Sequence, residues 1–298
     1  MSKMNTWDDK FDYLKLTRSL YLNVDYLQFL VEKVWKITKK VDVVDFGCGY
    51  GYLGLVLMPL LPEGSTYTGV DISEELIKKG REIFKNVPFN HKFILSSANG
   101  VPENDDTFDI AICNSVLMHI PEPDAVLTEM KRIAKNDGMI ITCESNWNAV
   151  NALLYIDGIK KSKITDLGFL QTLFERVHEK TKTDGNIGMK MPVIMARNNI
   201  KNIQARISDS VRIILADEKN EEQDSIYISL QSDGFGAELT DEQKSKKINW
   251  FMELGFSEEE ATKYLEKEIK LNEIFRNRDE LNLVYAAAMT FCFGYVSK

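Results

Sequence analysis

Val43-Val44-Asp45-Phe46-Gly47-Cys48-Gly49-Tyr50-Gly51-Tyr52-Leu53-Gly54 runs from one apolar stretch through a glycine-rich turn into another. The β-branched run at 41–46 predicts a buried strand. Residues 52–58 predict a short helix, stopped by Pro59 and the Pro62-Glu63-Gly64 turn. Glycines between them permit a tight turn and let a ligand approach the backbone. A plain strand–helix loop would look the same, so the flanking acids decide. Asp45 closes the strand and can draw in a ligand ammonium. Asp71 closes the next strand, within Gly69-Val70-Asp71-Ile72-Ser73. An acid at that strand tip suits the two hydroxyls of a ribose. Spacing alone leaves the ligand open. Gly47, Gly49 and Gly51 read as GxGxG, whereas Gly49, Gly51 and Gly54 read as the dinucleotide pattern GxGxxG. A pyrophosphate wants a helix N-terminus without competing negative charge, so Asp45 favours a ligand that carries a cation.

Working outward, strand and helix patterns alternate. Strands are predicted at 66–70, 91–95, 108–114 and 138–143, and helices at 74–86 and 124–135, the first capped by Ser73. Such alternation predicts an open parallel sheet with helices on both faces. Ligands in these sheets bind beyond the carboxyl ends of the strands, which here means after Asp45, Asp71, Leu95, Asn114 and Glu144. Residues 1–40 read as helical, with Val24, Leu27, Leu30, Val31 and Val34 at helical spacing. Beyond residue 146 the chain is mostly helical, with helices at 165–181, 191–198, 241–253 and 257–275. Strand-like segments fall at 203–214, and 217–241 reads as loop-rich. The aromatic stretch 285–296 suits a last strand returning to the sheet, although Ala286–Ala288 leans towards helix. The expected organisation is an N-terminal helical lid (1–40), a ligand-binding core (41–145), a cap of helices and strands with late core elements (146–284), and a closing strand (285–298).

The 298 residues carry a formal net charge of −8, which disfavours a polyphosphate partner. Residues 1–10 lack a signal-peptide core, and no run approaches a membrane span, so a cytoplasmic protein is expected. The four cysteines form no CxxC pair and the three histidines are scattered, so neither disulfides nor a metal centre is expected.

The segment 45–51 resembles the first motif of class I S-adenosylmethionine-dependent methyltransferases. Val70-Asp71-Ile72-Ser73 resembles the acidic end of their second strand, 93–102 the segment carrying adenine, and 108–120 the fourth strand and its turn. The resemblance covers roughly 41–145, in order. It implies a Rossmann-like, mostly parallel seven-stranded sheet with helices on both faces and a helical cap. It also implies transfer of a methyl group from S-adenosylmethionine, leaving S-adenosylhomocysteine. The backbone at Gly47, Cys48, Gly49 and Gly51 would meet the methionine part with Asp45 and Asn114, and Asp71 with Ile72 the ribose. The Ala98 amide would meet the adenine, with Ser97 and Asn99 alongside. Relatives often carry Asp where Ser97 stands, which leaves that contact without its charge.

For the acceptor, His119 is the first candidate base. Tyr13, Arg18, Tyr21, Glu144 and Trp147 are candidates for the pocket, with tyrosines and tryptophan as walls or cation platforms and Arg18 as a carboxylate partner. A small-molecule acceptor is favoured over protein or RNA, and over a non-catalytic binder of the cofactor. A nicotinamide oxidoreductase is disfavoured by Asp45. The helices around Trp250 and Tyr264 leave monomer and homodimer open.

Overall fold

A computed structural model describes residues 7–298. The first six residues of the expected lid lie outside that range. The chain opens with α1 (Phe11–Tyr21) and α2 (Val24–Phe29), the latter running into a π-helical turn at Leu30–Val34. The alternating half follows: β1 (Asp42–Phe46), α3 (Tyr52–Leu57), β2 (Thr66–Asp71), α4 (Glu74–Ile83), β3 (Asn90–Leu95), β4 (Phe108–Asn114), α5 (Pro123–Ile133) and β5 (Ala134–Glu144). The second half holds α6 (Trp147–Leu153), β6 (Tyr155–Ile156), α7 (Leu167–Thr181), α8 (Met191–Arg197), β7 (Lys201–Ile207), β8 (Val211–Ile214) and α9 (Glu221–Ser232). Then come α10 (Asp241–Glu253), α11 (Glu258–Arg276), β9 (Leu283–Ala286) and β10 (Thr290–Tyr295).

Seven strands form the main sheet in the order β3-β2-β1-β4-β5-β10-β7, with β10 alone antiparallel to its neighbours. Period-two alternation fills both faces. Val43, Ile110, Ile112 and Ile141 pack on one side with the N-terminal helices, and Val44, Ala111, Cys113 and Ile140 on the other with α5 and α8. Each fully buried valine or isoleucine contributes about 1.5–3 kcal/mol to the core. Strand order reverses between β1 and β4, which leaves a crevice above their carboxyl ends.

The strand-like segments at 203–214 fall in different sheets: β7 closes the main sheet edge, while β8 joins β9 and β6 in a second, three-stranded sheet. Two expectations change. The predicted last strand at 285–296 is likewise divided between β9 and β10. The corner is Ala287-Ala288, with Ala288 at φ +49, neither strand nor helix. The segment 217–241 is not loop-rich, because α9 fills its middle, started by Asn220, whose side chain accepts from the Gln223 amide at 2.9 Å. Only Gln223, Ser229 and Leu230 of α9 are buried, so its apolar stripe was too thin to read as a helix.

The late elements hold α1 in place. The Ser229 hydroxyl donates to the Leu16 carbonyl, and the Ser210 hydroxyl to the Leu20 carbonyl. The first helix and the last third of the chain thus roof the crevice together. Among the described residues, no helix is long and apolar enough to cross a membrane.

Candidate active site

The glycine loop holds three left-handed residues, Gly47 (φ +67), Gly49 (φ +56) and Gly51 (φ +89). A Cβ on Gly47 would lie 2.5 Å from the Val116 side chain, so the floor of the crevice has room for backbone only. Asp71 sets the loop's shape. Its Oδ2 accepts from the Gly49 amide at 2.7 Å and its Oδ1 from the Ser73 amide at 2.8 Å. Each oxygen keeps a further lone pair for a ligand hydroxyl. Burial raises the Asp71 carboxyl above its usual range, against the lowering effect of those amides.

A cavity of about 170 Å³ opens on this loop. Asp71, Gly47 and Gly49 form its polar end, and Ile72, Ala98, Val116 and Ile120 an apolar slot. Ile72 is 60% exposed, an unusual state for isoleucine and one that a flat apolar ring would relieve. A small recess beside it is lined by Asp45, Cys48, Asn114 and Arg18. Asp45 is wholly enclosed and accepts from the Tyr67 hydroxyl at 2.8 Å. Burial pushes its carboxyl up to about 7; the Tyr67 hydrogen bond opposes this, and the charge of Asp71 adds to it.

A second cavity, about 330 Å³, adjoins the first and shares Trp7, Leu14, Arg18, Ser115 and His119 with it. Tyr13, Tyr21 and Trp147 line it together with Phe235, Tyr285 and Asp233. Arg18 borders both cavities and the recess, so it stands where the three meet. His119 packs edge-on against Trp7, with ring centroids 5.0 Å apart. Solvent reaches the edge of the His119 ring, but the surrounding protein and then the Arg18 charge lower its pKa, so the imidazole is neutral at pH 7.

Not every candidate reaches these cavities. Ser97 and Asn99 are exposed, the Ser97 hydroxyl donating to Asn99 Oδ1 at 2.6 Å, and Ser96 lines the cavity instead. Gly51 sits beneath Phe84 and Phe93, 2.7 Å and 3.0 Å from a hypothetical Cβ, and serves packing rather than a ligand. Glu144 is fully buried below the cavity floor. Its Oε1 accepts from the Val116 and Leu117 amides at 3.1 and 3.0 Å, and its Oε2 from the Met118 amide at 3.3 Å. Burial pushes this carboxyl up to about 7 against those bonds. Glu144 therefore shapes the turn carrying Val116 and His119 and does not face an acceptor. Sequence reasoning missed Val116, Ile120 and Ser115, which lie just past the Asn114 strand tip, and Asp233, which no local pattern marks.

The fold and the glycine-loop site define a Rossmann-like methyltransferase, and the chain belongs to that family: the methyltransferase-domain profile matches residues 37–268. It is 34% identical over 119 residues to an uncharacterized methyltransferase of Schizosaccharomyces pombe, covering 37% of this chain and 42% of that protein. It is 30% identical over 120 residues to a ubiquinone biosynthesis O-methyltransferase of Thiobacillus denitrificans, covering 39% and 49%. The chain thus spans about half the length of these curated relatives. Among solved structures, its fold is similar to phosphoethanolamine N-methyltransferase 2 of Haemonchus contortus in complex with phosphomonomethylethanolamine and S-adenosylhomocysteine. That likeness has a TM-score of 0.53 and 11% identity over 100% of this chain and 61% of the other.

Proposed function

We propose that this protein transfers a methyl group from S-adenosylmethionine to a small-molecule acceptor. The observation that carries the reading is the pair of adjoining cavities, one bearing the glycine loop and Asp71, the other roofed and lined by aromatic side chains. The residues present fit the cofactor: a cradle that a Cβ would fill, a carboxylate with lone pairs to spare, and an apolar slot beside it. Asp71 would hold the ribose hydroxyls, and Ile72, Ala98, Val116 and Ile120 the adenine. Asp45 would hold the amino group and Arg18 the carboxylate of the methionine part. When bound, the cofactor supplies a methyl already activated on a sulfonium.

What remains for the protein is to align the acceptor and exclude water. The roof built from α1 and the late elements does the second. His119, neutral and on the shared wall, has one unprotonated ring nitrogen and can take a proton from an acceptor that must lose one. An enclosed cavity suits a small molecule better than a protein or RNA chain. Ubiquinone synthesis and sterol methylation, named for relatives, also concern small acceptors. Titration calorimetry with S-adenosylmethionine, S-adenosylhomocysteine and NAD tests the reading. Binding of the first two without NAD supports it, and a preference for NAD refutes it.

A further inference from the structure

Asp233 is the one carboxylate among the described residues lining the second cavity. It follows α9 directly, at the negative end of that helix's dipole, where an acid weakens the helix. A fold that kept an acid there for stability would put it at the other end, where Glu221 and Glu222 already stand. Burial raises the Asp233 carboxyl above its usual range, and the Tyr21 and Tyr13 hydroxyls oppose this, the latter donating to Oδ1 at 3.1 Å; a bound cation would restore the charge that burial disfavours. The nearest cation in effect is Arg18, which acts through space and not by contact. The same cavity is lined by Tyr13, Tyr21, Phe235, Tyr285 and Trp147.

We propose that Asp233 and these aromatic side chains form a recognition site for an ammonium group, so that the acceptor is a small molecule carrying an ammonium on an apolar body. This rests on the second cavity being the acceptor site of a methyltransferase. A carboxylate and a helix C-terminus both attract a cation, and tyrosine and tryptophan faces attract it further. An acceptor carboxylate would be repelled at the same place. A neutral phenol or alcohol could use Asp233 only as a hydrogen-bond acceptor and would gain nothing from the ring faces as cation platforms.

The test follows tryptophan fluorescence, which Trp7 and Trp147 on the cavity wall should report, in protein saturated with S-adenosylhomocysteine. The probes are 2-phenylethylamine, 2-phenylethanol and 3-phenylpropanoate. The parent should bind the amine at least about 10-fold more tightly than the alcohol, and Asp233→Asn should lose that preference. Affinity for the alcohol and for S-adenosylhomocysteine should stay within about twofold. Tyr13→Phe, which keeps the charge but removes one of its holders, should weaken amine binding by about 2- to 10-fold. Equal binding of amine and alcohol, preference for the propanoate, or no binding of any probe overturns the proposal. So does an unchanged amine affinity in Asp233→Asn. Failure of S-adenosylhomocysteine itself to bind the parent would instead sink the methyltransferase reading, so the two failures are distinguishable.

Discussion

Replacing Asp71 by asparagine weakens both of its tasks by a calculable amount. In the parent, each carboxylate oxygen accepts one backbone amide, from Gly49 at 2.7 Å and Ser73 at 2.8 Å, and offers a lone pair to the cofactor ribose. A hydrogen bond to a charged acceptor contributes about 1.5–3 kcal/mol, and one between neutral partners about 0.5–1.5. Asparagine turns one of these oxygens into an NH2 donor, which orphans either the Gly49 or the Ser73 amide; weakening two ribose bonds from the first kind to the second alone costs about 2–3 kcal/mol, or a ~30- to ~150-fold rise in Kd. Asp71→Ala removes the ribose bonds entirely and also orphans the Gly49 and Ser73 amides. Each buried orphan costs about 1–3 kcal/mol, so the alanine variant should lose measurable binding and stability together. The assay is calorimetric titration with S-adenosylhomocysteine, paired with urea denaturation of the ligand-free protein. A folded Asp71→Asn or Asp71→Ala variant that bound like the parent would refute the placement of the ribose at Asp71.

Three further outcomes follow from the same geometry. Burial raises the Glu144 carboxyl from an ordinary 4.5 to about 7, a difference worth about 3 kcal/mol. Its stabilising contribution is full below pH 4.5 and is lost as pH rises through 7. Glu144→Gln has no such loss, so its Tm relative to the parent should climb between pH 5 and 8, and a flat difference would contradict the assignment. Gly51→Ala places a Cβ 2.7 Å from Phe84 at φ +89 and should cost about 2–4 kcal/mol in urea denaturation, with little change in cofactor affinity per folded molecule. If His119 is the base, kcat/KM should fall only at pH values below its ordinary 6.5, because protonation is disfavoured in the fold, and His119→Ala should abolish that limb. Unchanged turnover in the alanine variant would remove His119 from the mechanism.

The contrast between Ser96 and Ser97 shows where the sequence was readable and where a finer rule was needed. The alternating half declared itself through local signals: β-branched runs, Ser73 as a cap, and acids at strand tips that the next loop must face. Within that half the error was one of parity. In the turn after β3, Ser96 and Ala98 line the cavity while Ser97 and Asn99 are exposed. Gly51 was misplaced for a related reason, since a left-handed glycine in a loop has the same signature whether a ligand or a phenylalanine presses on it.

The acceptor half was not legible in this way because its chemistry is assembled from distant chain. Tyr13 and Asp233 are 220 positions apart, and what joins them is the docking of α1 on α9, whose thin apolar stripe hid the helix itself. A carboxylate made meaningful only by tertiary contact leaves no motif. The same division explains what the relatives can and cannot convey. A similarity over 119 or 120 residues is shorter than the stretch from Trp7 to Met289 that lines the second cavity. It can carry the glycine loop and Asp71 together, because they are close in sequence, but not the constellation around Asp233. On the proposed function, acceptor specificity is therefore to be argued from Asp233 and the aromatic side chains of its cavity, not from the acceptors of relatives.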